Sequence, residues 1–205
     1  MGEILIEVGR GDEGVRRLEL ALSLDDSLTT PRWSLARYRA YQGDFAGALS
    51  AVKDLFQRTR DPRLATASAR LMLWQRDLEG VRSFGEKIAA QAGDDSIFTL
   101  YPVKAILGEE ALELAVDRVD RLLRQPGVSW RTVMLASQSM TEVCAFLDRT
   151  DLAMSGIARA ADHGLTDLLW ADRCPLLESA RRRPEWPSLR ARIAAHAEAV
   201  IDAVW

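Results

Sequence analysis

The chain has 205 residues, 48% hydrophobic and 28% charged, with a net charge of −3 and a pI near 5.5. A nucleic-acid-binding body normally carries a marked basic excess, which this composition lacks, and nowhere do the about 18 apolar residues of a membrane span run uninterrupted. Two cysteines 30 residues apart, Cys144 and Cys174, and two isolated histidines, His163 and His196, have no metal-ligand spacing around them; no metal or cofactor is expected, and both thiols read as small core residues of a reducing compartment.

In chain order, Glu3–Val8 supplies the end of a first helix, and the run from Gly9 to Leu22 follows. It returns 34 residues later from Gly43 to Phe56, with Gly9 matched by Gly43, Gly14 by Ala48 and Leu18 by Val52. Between the two runs a helix is expected from about Pro31 to Gln42, with Pro31 suited to a first turn. Asp61-Pro62 opens the next helix, Arg76-Asp77-Leu78 takes the place of the Gly43-Asp44-Phe45 turn, and Val81, Gly85 and Ile88 lie on the inner face of the helix after it. A fourth pair spans about Ser96–Leu107 and Glu109–Arg124, the second helix carrying Ala115, Val119 and Leu122, and ends at Gln125-Pro126-Gly127. The fifth runs from Trp130 to Leu147, turns at Arg149-Thr150-Asp151 and continues through Leu152, Ala153, Ile157 and Ala160 to a helix C-cap at Gly164. Carboxylate pairs such as Asp25-Asp26 and Asp94-Asp95 fall at turns, where Asp is expected.

A 34-residue helical period with small residues at helix crossings and a Gly-Asp-aromatic turn resembles the tetratricopeptide repeat family. The resemblance implies an all-α chain: an α-α superhelix of about five helix-turn-helix units (1–28, 29–61, 62–95, 96–128 and 129–164) in a single domain, with a C-terminal cap at 165–205. Because only part of a first helix precedes Gly9, the chain is expected to be a piece of a longer polypeptide.

The segment His163–Ile193, with Trp170-x-Asp172, Pro175-Leu176-Leu177, Arg181, Pro184, Trp186 and Leu189, resembles the terminal repeat of bacterial multidomain regulators. In these, a Ser/Thr kinase, a nucleotide cyclase or a winged-helix domain precedes the array. Arg183 and Trp186 stand where that phrase has an acidic residue and Phe. Physically the segment reads as a cap, with Trp170, Leu176, Leu177, Trp186, Leu189 and Ile193 closing the core and a stripe through Ala197, Val200, Ile201 and Val204. Pro184 and Pro187 are expected to set the bend before the last helix.

Register places Arg37, Arg70 and Lys104 at equivalent positions on the first helix of three successive units, while Glu142 takes a similar place in the fifth. Facing a concave groove, the three cations would favour an acidic, carboxylate-terminated or phosphorylated peptide; the alternative is solvated surface charge. Trp33, Tyr41, Trp74 and Tyr101 lie on the same helices as core or groove residues, with Trp33 the groove candidate. The family's carboxylate clamp uses Lys, Asn and Arg, and this chain has no Asn. Arg181-Arg182-Arg183 with Arg190 and Arg192 reads as a solvated helix end. No nucleophile-base spacing and no phosphate-cradling glycine loop is present.

The expectation is therefore a non-enzymatic, cytoplasmic protein-interaction scaffold, the regulatory region of a bacterial signalling protein such as a Ser/Thr kinase. Its partner would be a protein or peptide, an acidic one among the candidates, or an upstream domain of the same chain, with no nucleic acid and no membrane. Alternatives are a self-associating homodimer module and the repeat region of a transcriptional regulator or cyclase.

Overall fold

The computed structural model describes residues 1–59, 61–91 and 97–204, apart from the side chains of 62, 63, 87–91, 97–101, 122, 123 and 204. Asp94, Asp95 and Ser96, and the side chains of Ile88, Tyr101, Leu122 and Val204, therefore lie outside the described residues. Among the described residues every regular element is helical. Five pairs come first: α1 (Gly2–Glu7) with α2 (Gly11–Leu24), α3 (Thr29–Tyr41) with α4 (Phe45–Thr59), α5 (Pro62–Trp74) with α6 (Leu78–Gln91), α7 (Ile97–Leu107) with α8 (Leu112–Leu123), and α9 (Trp130–Phe146) with α10 (Thr150–Asp162). Then follow α11 (Leu168–Arg173), a 3-10 turn (Pro175–Leu177), α12 (Glu178–Arg181) and α13 (Trp186–Val204).

The second helices of the pairs start at Gly11, Phe45, Leu78, Leu112 and Thr150, so the period is 34, 33 and 34 residues before it lengthens to 38. One backbone device recurs at each turn within a pair. A residue one or two positions past the first helix takes a left-handed φ: +89° at Gly9, +99° at Gly43, +55° at Arg76, +73° at Gly108 and +57° at Asp148. Glycine adopts this region without a Cβ clash; Arg76 and Asp148 keep the same geometry without that advantage. After Gly108 the second helix, α8, begins at Leu112 and not at Glu109, four residues on where the other turns need two. At two of the turns an aspartate caps the second helix, Asp44 accepting from the Gly47 N–H at 2.9 Å and Asp77 from the Gly80 N–H at 2.8 Å.

From α1 to α10 each helix packs on its neighbours in the chain. At the crossing of α1 and α2 a Cβ on Gly14 would sit 2.6 Å from the Gly2 carbonyl oxygen; only glycine allows that approach. One continuous apolar core runs from Ala36 through Trp74, Val81, Ala115, Val143 and Ile157 to Ile193. Leu5, Ile6, Val8 and Leu18 are buried outside it, as a small separate cluster of α1 and α2.

The long-range contacts depart from a simple row. The helix α9 touches α5 as well as α7, and α11 packs on both α1 and α3. The C-terminal elements thus close the fifth pair, as a cap would, and also reach back to the start of the chain. Trp170, Leu177 and Ile193 are fully buried and Leu176, Trp186 and Leu189 nearly so, as the apolar pattern requires. The bend falls in residues 182–185; Pro187 is the second residue of α13, a first-turn position where its missing N–H costs nothing. No helix among the described residues is long and apolar enough to cross a membrane.

Candidate functional site: a cavity over a closed arginine-carboxylate network

The first helices of four pairs, α1, α3, α5 and α9, and the loop before α11 enclose a cavity of about 250 Å³. Its polar lining comes from Glu3, Glu7, Arg37, Arg70, Arg131 and Asp167, with Gln138 and the threonines Thr29, Thr30 and Thr66. Its apolar walls are Trp33, Leu64, Trp130, Met134, Leu135 and Leu165.

Arg37 on α3 is 3% exposed, and its guanidinium donates to two carboxylates: to Glu7 at the end of α1 at 2.8 Å, and to Asp167 at 3.0 Å. Arg131 donates two hydrogen bonds of 2.6 Å to the same Glu7 and lies 2.7 Å from Glu3. Asp167 also accepts from Gln138 at 3.0 Å and caps α11 through the Trp170 N–H at 2.9 Å. Arg70 on α5 is gripped at two points by Glu142 of α9, at 2.9 and 2.6 Å. Glu142 in turn accepts from the Trp170 indole N–H at 2.8 Å.

Burying ions is costly, so these groups stay charged only because each meets an opposite charge at contact distance. For Arg37, burial opposes the charge, but Asp167 and Glu7 outweigh it and hold the guanidinium protonated. Burial would raise the Glu7 carboxyl; Arg37 and Arg131 together prevail and hold it below the ordinary carboxylate value. Asp167 moves the opposite way. Burial, reinforced by the nearby Glu7 charge, exceeds the pull of Arg37 and pushes its carboxyl up. Glu7 receives two guanidinium groups where Asp167 receives one, which accounts for the difference in sign.

The expected ladder of free cations is therefore corrected. Arg37 and Arg70 do come to one inner surface, but as members of buried ion pairs and not as open donors for an acidic ligand. Lys104 is half-buried on α7 and does not line the cavity; its backbone carbonyl accepts from the N–H groups of Glu109 and Glu110 at the helix end. Trp33 lines the cavity, while Tyr41 and Trp74 are core, stacked with ring centroids 4.8 Å apart. Sequence reasoning missed Glu7, Arg131, Gln138 and Asp167. A signal existed in the register: Glu3 lies 34 residues before Arg37, and Glu142 sits four residues before the end of α9 as Arg37 and Arg70 do in α3 and α5. Acids at the outer positions and arginines between them are what a ring of ion pairs needs.

The C-terminal arginines are also engaged within the chain. Arg181 donates to the carbonyls of Ala171 and Cys174, Arg182 pairs with Glu178, Arg190 meets both oxygens of Asp172 at 2.7 Å, and Arg192 pairs with Asp162. His196 hydrogen-bonds the Ala161 carbonyl, and the His163 carbonyl accepts from the Trp130 indole N–H at 3.1 Å. Both cysteines are buried free thiols. No protein-family model, no curated protein and no solved structure matches the chain.

Proposed function

We propose that the chain is a tetratricopeptide-like superhelix acting as a non-enzymatic protein-interaction module, and that the cavity of α1, α3, α5 and α9 seats part of a partner polypeptide. The observation that carries the reading is the combination of apolar walls with a floor whose charges neutralise one another. Trp33, Trp130, Met134 and Leu135 offer contact area, while Glu7, Asp167, Arg37 and Arg131 are occupied with each other and supply rigidity in place of a proton-transfer group. The recurring 34-residue period and the repeated left-handed turn support the superhelical reading. Buried free thiols fit a cytoplasmic setting.

Selection from a displayed random-peptide library tests the proposal. The chain should enrich peptides whose binding is lost in Thr30→Trp, a substitution at an exposed residue of the cavity lining, with helicity and melting temperature unchanged. No enrichment, or enrichment indifferent to Thr30→Trp, would reject the reading.

A second reading, self-association, is favoured by the exposure of Leu24 (82%), Leu20 (57%) and Ile4 (39%) on α1 and α2. Light scattering on the chain and on Leu20→Glu/Leu24→Glu decides it: a dimer that becomes a monomer in the variant supports self-association, and a concentration-independent monomer ends it.

A further inference from the structure

Resting on the reading of the cavity as a polypeptide seat, we propose that its occupant is an electrically neutral, apolar side chain, and not an acidic or phosphorylated residue. Two observations lead there.

The first is size. A cavity of about 150 Å³ is enough for benzene, whereas pockets for drug-sized ligands begin near 300 Å³. At about 250 Å³ the space suits one large side chain with the peptide group attached to it.

The second is charge. The lining carries Glu3, Glu7 and Asp167 against Arg37, Arg70 and Arg131, and Glu142 stands behind Arg70. The three carboxylates of the lining balance its three guanidinium groups, so an incoming carboxylate or phosphate would find no uncompensated positive charge. It would also have to draw an arginine from a partner already at 2.6–3.0 Å.

The test uses two probes that differ in one group, N-acetylphenylalanine amide and N-acetylphenylalanine carboxylate, titrated into the full chain by NMR. The amide is expected to bind at least fivefold more tightly, to weaken at least fivefold in Trp33→Ala, and to lose binding in Thr30→Trp. Equal or tighter binding of the carboxylate would overturn the inference, as would binding of neither probe or binding unaffected by both variants. Failure here with Thr30→Trp-sensitive peptides still enriched from the library removes the neutral-ligand inference alone; failure of both experiments removes the peptide seat itself.

Discussion

Arg37 and Asp167 are separated by 130 residues of chain and 3.0 Å of space. That one ion pair joins α3 to the segment leading into α11, and through the shared guanidinium it also holds Glu7 at the end of α1. The buried apolar residues of α1 and α2 lie outside the continuous apolar core, and these ion pairs tie α1 to α3 and to the segment before α11, beside the packing of α2 on α3.

Removing the shared cation should therefore be expensive. Arg37→Met leaves Asp167 buried without its counter-ion and is expected to cost about 3–5 kcal/mol in urea unfolding. Adding Asp167→Asn, which keeps an oxygen for the Trp170 N–H, should restore more than half of that loss. By contrast Arg190→Ala, which breaks a half-exposed pair with Asp172, should cost less than about 1 kcal/mol. If the double variant is no more stable than Arg37→Met, the pairing is not the source of the cost.

Acid stability should separate the two carboxylates that share Arg37. Glu7 has a folded value below its ordinary 4.5, so its contribution is fully present above that value and is lost as the pH falls through the folded one. Asp167 is raised above 3.8, so its contribution runs the other way, favouring the folded state less as the pH rises from 3.8 through the folded value. Glu7→Gln should flatten the acid limb of a pH-stability curve, and Asp167→Asn should steepen it. Hydrogen exchange in Glu7→Gln should accelerate first in α1 and α2. Identical acid limbs in both variants would contradict the assignment.

The two thiols should be silent in the folded chain. Burial pushes Cys144 up to about 11 and Cys174 well above the usual thiol range. At pH 8 Ellman's reagent should titrate neither until denaturant is added. Above pH 9 the unfolded chain ionises Cys144 first, so stability falls with rising pH between 9 and 11, by about 1.4 kcal/mol per pH unit for this group; Cys144→Ala should remove that part of the slope.

Turn chemistry gives an asymmetric pair of substitutions. Gly43→Ala places a Cβ on a residue at φ +99° and should cost about 1–2 kcal/mol. Arg76→Gly, at the equivalent turn with φ +55°, should leave stability unchanged or raise it by less than about 1 kcal/mol, because relief of strain is partly offset by backbone entropy. Thermal denaturation of the two variants side by side checks the sign of each.

Local pattern by itself determined the helices. The return of Gly9–Leu22 at Gly43–Phe56 fixed the start of two second helices, and the spacing of Val119 from Ala115 and of Leu189 from Ile193 identified faces that are buried. These follow from 3.6-residue periodicity and from glycine at left-handed turns, which are properties of neighbouring residues. Only the tertiary structure decided what Arg37 and Arg70 are for. In the repeat register they looked like a row of equivalent cations, and nothing within either helix distinguishes a solvated arginine from a buried one. That difference is set by Glu7, Glu142 and Asp167, which arrive from distant parts of the chain once α9 reaches α5 and α11 reaches α1 and α3. A charge's role depends on its counter-charge within a few ångströms, and that distance does not exist until the chain has closed on itself.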